Sequence, residues 1–163
     1  MDFEVEHRFS GPSERVIALF KDIEVQSRMH RDLGYAEWRE LERQDRSGNL
    51  TRRIRAVPGV SVPSFVRRAL GDSPGIRETQ TWQTGEQRYI WEVCFDLSPR
   101  LRLDGTCRYE DVSAHVCRRR MEASIEVDIP LVGKRLEAFI KEMMMRSLNE
   151  EAAWIERELR GAE

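Results

Sequence analysis

Residues 131–160 constrain the fold more than any other part of the chain. Val132, Leu136, Phe139, Ile140, Met143, Ser147, Leu148, Ala152, Ile155 and Leu159 recur close to the helical period and mark one largely apolar face. A helix of about 30 residues is roughly 45 Å long at 1.5 Å per residue. Such a helix gains most of its stability from tertiary burial of its apolar face, so that stripe has to be covered. The residues before it must therefore supply one large apolar surface.

Those residues read as strands. Residues 3–9 alternate, with Phe3, Val5, His7 and Phe9 on one face and Glu4, Glu6 and Arg8 on the other. Pro12 and Ser13 open a short helix carrying Val16, Ile17, Leu19 and Phe20, and a second covers 26–32 and stops at Gly34. Period two returns over 35–43 and 50–57, on either side of a turn at 45–49. Pro58 and Gly59 break the ladder. Residues 62–70 read as one or two helical turns, ended by turn chemistry at 71–75. Strands over 76–83 and 88–96 flank a turn at 84–87, and strands over 101–109 and 114–129 follow. The expected class is α+β: a curved, seven-stranded antiparallel sheet wrapped around a long C-terminal helix, with two short helices after the first strand.

Composition bounds the function classes. At 163 residues, one domain with a substantial core is expected over 1–163. No apolar run reaches the roughly 18 residues of a membrane crossing, and the acidic, alternating start is unlike a signal peptide, so a cytoplasmic protein is expected. The net charge of −2 gives no bulk argument for nucleic acid. Only Lys21, Lys134 and Lys141 are lysines among 27 basic residues. The arginine runs at 52–53, 67–68 and 118–120 are interleaved with acids, as on solvated faces. Three cysteines without CxxC spacing fit reduced thiols better than a disulfide framework. His115 and Cys117 share a strand face but lack the second pair that structural zinc needs, so neither metal nor cofactor is expected.

The order of strand, two short helices, six strands and one long helix resembles the helix-grip superfamily of START and birch-pollen-allergen domains across nearly the whole chain. The stretch from Gly11 to Val16 is similar to the superfamily's opening. Residues 50–53, 63–73 and 133–139 resemble PRELI-like lipid-transfer domains more closely, and the chain also looks like a bacterial family of unassigned function. The opening third departs from the PRELI pattern of aromatic and proline residues. The resemblance implies a cavity between sheet and helix. It also implies binding of a hydrophobic or amphipathic small molecule, such as a lipid, with possible transfer between membranes.

The apolar phase of each strand gives the candidate lining: His7, Trp38, Ile54, Trp82, Trp91, Val93, Phe95, Leu103, Cys107, Met121 and Ile125, faced by Phe139, Ile140, Met143 and Met144. The same residues would equally fill a solid core. Arg52, Glu78, Gln80 and Arg119 share the inward phase. Glu78 is therefore expected to pair with Arg52 or Arg119, and one arginine at the mouth to receive an acidic head group, unless the register slips by one residue. Val62, Phe65, Val66 and Leu70 with outward Arg67 and Arg68 suggest either a lid making transient membrane contact over 62–70 or a plug. An alternative is a cyclase or dehydratase in which His7 acts as a base with Glu78 or Tyr89. No nucleophile elbow, HExxH or phosphate loop accompanies it.

Overall fold

The computed structural model describes every residue except Ser73, Thr84, Leu97, Ala162 and Glu163. The expected turns at 71–75 and 84–87 therefore lie partly outside the described residues. Strand β1 (Asp2–Phe9) is followed by α1 (Ser13–Lys21), α2 (Ile23–Asp32), β2 (Glu37–Arg46), β3 (Asn49–Val57) and α3 (Ser64–Leu70). Then come β4 (Ile76–Gln83), β5 (Arg88–Phe95), β6 (Ser98–Ser113), β7 (Val116–Val127) and α4 (Gly133–Gly161). The strands form one antiparallel sheet in the order β1-β7-β6-β5-β4-β3-β2. Every neighbour except the β1–β7 pair is joined to the next strand in sequence.

Boundaries differ from the sequence expectation where a local contact overrides periodicity. Helix α2 begins at Ile23, three residues early, because the Asp22 carboxylate accepts hydrogen bonds from the Glu24 and Val25 amides at 2.9 and 3.0 Å. Strands β2 and β3 run on to Arg46 and Asn49, since Ser47 and Gly48 both adopt positive φ (51° and 83°) and close a two-residue hairpin turn. Strand β6 continues past Tyr109 to Ser113 because its outer face is held by charge: Arg118 on β7 donates to Glu110 at 2.6 Å. Helix α4 starts at Gly133 rather than at 131; Leu131 is fully exposed with φ of 70°, outside helical space. The first turn of α1 is tied to the sheet by Asp111, whose carboxylate accepts from the Ser13 amide at 2.7 Å.

Helix α4 packs against β7 and β1, and α1 lies on β6 and β7 at the same side. Leu136, Ile140, Leu148, Ala152, Ile155 and Leu159 are buried along the predicted stripe. Trp154, which was not expected there, is also buried and donates its indole N–H to Asp32 of α2 at 3.0 Å. Met143, Met144 and Ser147, in the middle of the stripe, are only half-buried. There the helix faces open space instead of the sheet.

Candidate functional site

That space is a cavity of about 320 Å³ between α4 and the inner face of the sheet. Antiparallel pairing sets its wall. Ile54 lies opposite Glu78, Glu78 opposite Val93 and Val93 opposite Leu103, so one inward row crosses β3, β4, β5 and β6. Around this row stand Arg52, Trp82, Trp91 and Phe95 from the sheet, Met121 from β7 and Trp38 from β2. Phe139, Ile140 and Met143 of α4 form the roof, and Val62, Val66 and Leu70 close one end. Trp91 owes its position to Gly105 across the β5–β6 pair: a Cβ there would lie 2.6 Å from the indole Cζ2 and 2.0 Å from the Glu122 carbonyl oxygen.

Five of the residues expected there stand outside this lining, Cys107 among them as a fully buried thiol of the core. Ile125 is fully buried in the core beyond it. Phe65 packs edge-on against Phe139, with ring centres 6.0 Å apart, and carries the Arg135 guanidinium 4.0 Å above its own ring. That cluster pins α3 to the start of α4. Arg119, one of the two arginines expected to offer a group at the mouth, is sealed under α1 and α4. It donates to the Leu148 carbonyl at 3.2 Å, contacts His7 Nδ1 at 3.0 Å, approaches Glu151 at 3.9 Å and lies over the rings of Phe9 and Phe20. His7 meets Asn149 at 2.8 Å as well as Arg119, so the expected partnership with Glu78 or Tyr89 does not form.

The expected Glu78–arginine pair is also rearranged. Arg52 Nε donates to Gln80 Oε1 at 2.8 Å, Nη2 donates to the Phe20 carbonyl at 2.7 Å, and Nη1 lies 3.7 Å from Glu40. Glu78 instead accepts a hydrogen bond from the neutral Gln80 amide at 2.6 Å. The carboxylate expected for Arg52 thus comes from β2, where a bulge between Glu40 and Glu42 redirects the strand. Local alternation alone does not disclose that bulge.

Sequence periodicity missed the second polar group of the cavity, because it comes from α2 and from the polar flank of α4. His30 donates from Nδ1 to the Gln26 carbonyl at 2.7 Å and presents Nε2 to Glu151 at 3.7 Å. Its ring stacks on Trp38 (centres 4.9 Å, 10° between planes) and meets Tyr35 edge-on at 4.7 Å. The Tyr35 hydroxyl is 3.0 Å from Ser147 of α4. All five side chains line the cavity.

The two interior carboxyl groups are pushed apart electrostatically. Burial raises the Glu78 pKa above the ordinary carboxylate value, and the Gln80 hydrogen bond and Arg52 charge offset this only in part. Burial also opposes ionisation of Glu151, but the hydrogen bond and charge of His30 together with Arg119 outweigh it and hold that carboxyl below the usual range. Burial, with Glu151 close by, pushes the Tyr35 phenol up. Among the described residues no group of three His, Cys, Asp or Glu side chains is placed to hold a metal ion.

A curved antiparallel sheet gripping a long terminal helix, with a cavity between them, is the helix-grip architecture of START-like domains. Solved structures share it over nearly the full chain. TTHA0849 from Thermus thermophilus is 19% identical, with 99% of each chain covered and a TM-score of 0.73. The Zhui aromatase/cyclase from Streptomyces sp. R1128 is 13% identical, with 99% of this chain and 97% of that one covered and a TM-score of 0.74. A START superfamily protein from Mycobacterium smegmatis is 12% identical, with 99% of each chain covered and a TM-score of 0.66. The chain belongs to the family described as protein of unknown function, DUF2505, which it matches over residues 4–159. No curated protein is a significant sequence match. Among the described residues no helix is long and apolar enough to cross a membrane.

Proposed function

We propose that the protein binds a compact hydrophobic or amphipathic small molecule between the sheet and α4. The observation that carries this reading is the cavity itself, whose 320 Å³ lies at the small end of the roughly 300–1,000 Å³ typical of small-molecule sites. Its wall is apolar except for a few convergent polar groups, the usual composition of such sites. The fold shared with a START superfamily protein and with an aromatase/cyclase supports the same reading. A fused-ring compound or one short chain suits this volume better than a two-chain phospholipid. Arg52 and Arg119 are already engaged by protein oxygens, which does not favour the acidic head group expected at one of them. On this reading α3 is a lid: Val62, Val66 and Leu70 face the cavity, while Arg67 and Arg68 are exposed and free to meet an anionic membrane surface during loading.

The test is titration with N-phenyl-1-naphthylamine, an apolar fused-ring fluorophore. Saturable micromolar binding is expected in the wild-type protein, with at least tenfold weaker binding in Val93→Trp, which fills the cavity from the middle of β5. A folded wild-type protein that binds no such probe would remove the proposal.

A second reading, chemistry on the bound molecule, is favoured by one observation. His30 has its Nδ1–H committed to a carbonyl, so its Nε2 faces the Glu151 carboxylate at 3.7 Å on the cavity wall, the two groups an acid–base step on a bound molecule would need. Turnover of a polyketide-like substrate that disappears in His30→Gln, with ligand binding retained, would establish it.

A further inference from the structure

Inward charge in an apolar cavity needs a partner, and the partners can be followed residue by residue. Arg52 is taken up by Gln80, the Phe20 carbonyl and Glu40. Glu151 is faced by His30 and Arg119. Glu78 has one neutral donor, the Gln80 amide, on one of its two oxygens, and among the described residues no basic side chain forms an ion pair with it. What remains exposed of Glu78 opens on the cavity it lines. The arginine beside it cannot turn to an incoming anion without abandoning the Phe20 carbonyl. An acidic head group would also meet Glu78 and Glu151 together. A protonated amine would meet a carboxylate that Arg52 and His30 face without an ion pair to either, within a lining that includes Tyr35, Trp38, Trp91 and Phe95. Aromatic faces attract organic cations through their ring quadrupoles.

We propose that the cavity selects compact aromatic or alicyclic amines, with Glu78 receiving the ammonium group. This rests on the ligand-binding reading above and adds the chemical class of the ligand. Glu78 is faced by Arg52 from β3, His30 from α2, Tyr35 ahead of β2, Tyr89 from β5 and Glu151 from α4. Of these, Glu151 keeps its charge to lower pH than Glu78, because Glu78 is the carboxyl that burial raises. Amine affinity should accordingly fall on acidification as Glu78 takes up its proton, with the ligand still an ammonium ion throughout.

Three ligands of one ring skeleton test this by calorimetry: 2-aminotetralin, 2-tetralol and tetralin-2-carboxylate. The expected order is amine at least tenfold tighter than alcohol, with the carboxylate weakest, and Glu78→Gln should bring the amine-to-alcohol ratio close to one. Should that variant fail to fold, the wild-type protein and His30→Gln give the answer together: in both, the ratio falls as pH is lowered from neutrality towards the carboxylate range. An amine that binds no tighter than the alcohol, or a preference that survives Glu78→Gln or is flat with pH, overturns the amine assignment and leaves the cavity reading standing. Failure of all three ligands to bind folded protein removes the cavity reading itself.

Discussion

Arg119→Met probes the electrostatic keystone between β1, β7 and α4. The wild-type guanidinium is 1% exposed and holds together the Leu148 carbonyl, His7 and Glu151. Methionine keeps much of the volume but deletes the charge, so the loss is mainly electrostatic. Breaking one side of a buried charge pair typically costs about 3–5 kcal/mol, because the surviving partner is left buried without compensation. For a chain of this size 1 kcal/mol moves the melting temperature by about 2–4 °C, so a drop of roughly 6–20 °C is expected. The assay is urea unfolding followed by tryptophan fluorescence at pH 7, with Glu151→Gln and the double variant completing a cycle. The two changes should be less than additive, since each removes the reason for the other's cost. Glu151 is held below its ordinary pKa of 4.5 in the folded protein, so its contribution is present above that value and lost as pH falls through the folded pKa. The penalty of Arg119→Met should therefore shrink as pH falls below 4.5, because Glu151 without its arginine takes up its proton at a higher pH than in the wild-type protein. A loss below about 1 kcal/mol, additive with Glu151→Gln and independent of pH, would refute the buried pair.

Gly105→Ala should destabilise by about 1–3 kcal/mol, the usual range for overpacking, and shift tryptophan emission as Trp91 is displaced; an unchanged melting curve and spectrum would contradict the close approach. Cys107 and Cys117 are buried, with burial pushing both thiols up to about 11, whereas Cys94 is exposed. One thiol should therefore react quickly with Ellman's reagent in native protein and the other two only after unfolding; three fast thiols would disprove the burial. Burial first, and Arg119 next, lower the His7 pKa from 6.5, so the unfolded chain binds this proton more readily than the folded one. Stability should fall as pH drops below 6.5, and His7→Asn should flatten part of that slope between pH 6.5 and 5; a variant with the wild-type slope would rule His7 out as its source.

What was legible in the sequence was whatever a period carries. The inward phase of β3, β4 and β5 could be read from Leu50, Ile54 and Ala56, from Ile76 and Trp82, and from Trp91, Val93 and Phe95, because a slip of one residue would have turned every one of them to solvent. The same rule placed Arg52, Glu78 and Arg119 inside, whereas the reading of the 52–53 and 118–120 runs as solvated faces fails at Arg52 and Arg119, which are buried, and holds for Arg118 and Arg120, which face outward to Glu110, Glu6 and Glu4. Partner choice was not legible, because it depends on where helices cross the sheet. Arg119 found Leu148 and Glu151 instead of the cavity mouth because α4 runs over β7 and β1 at that point. Farther across the sheet, over β3 to β5, the same curvature leaves α4 out of reach, and the wall there faces open space. His30 and Glu151 meet on an α2–α4 contact that no spacing along the chain encodes. The cavity is thus the residue of a mismatch between α4, which packs on β7 and β1, and the curved sheet beyond them. Glu78 is the inward acid that this mismatch leaves with a single neutral donor, while Glu151 is met by His30 and Arg119.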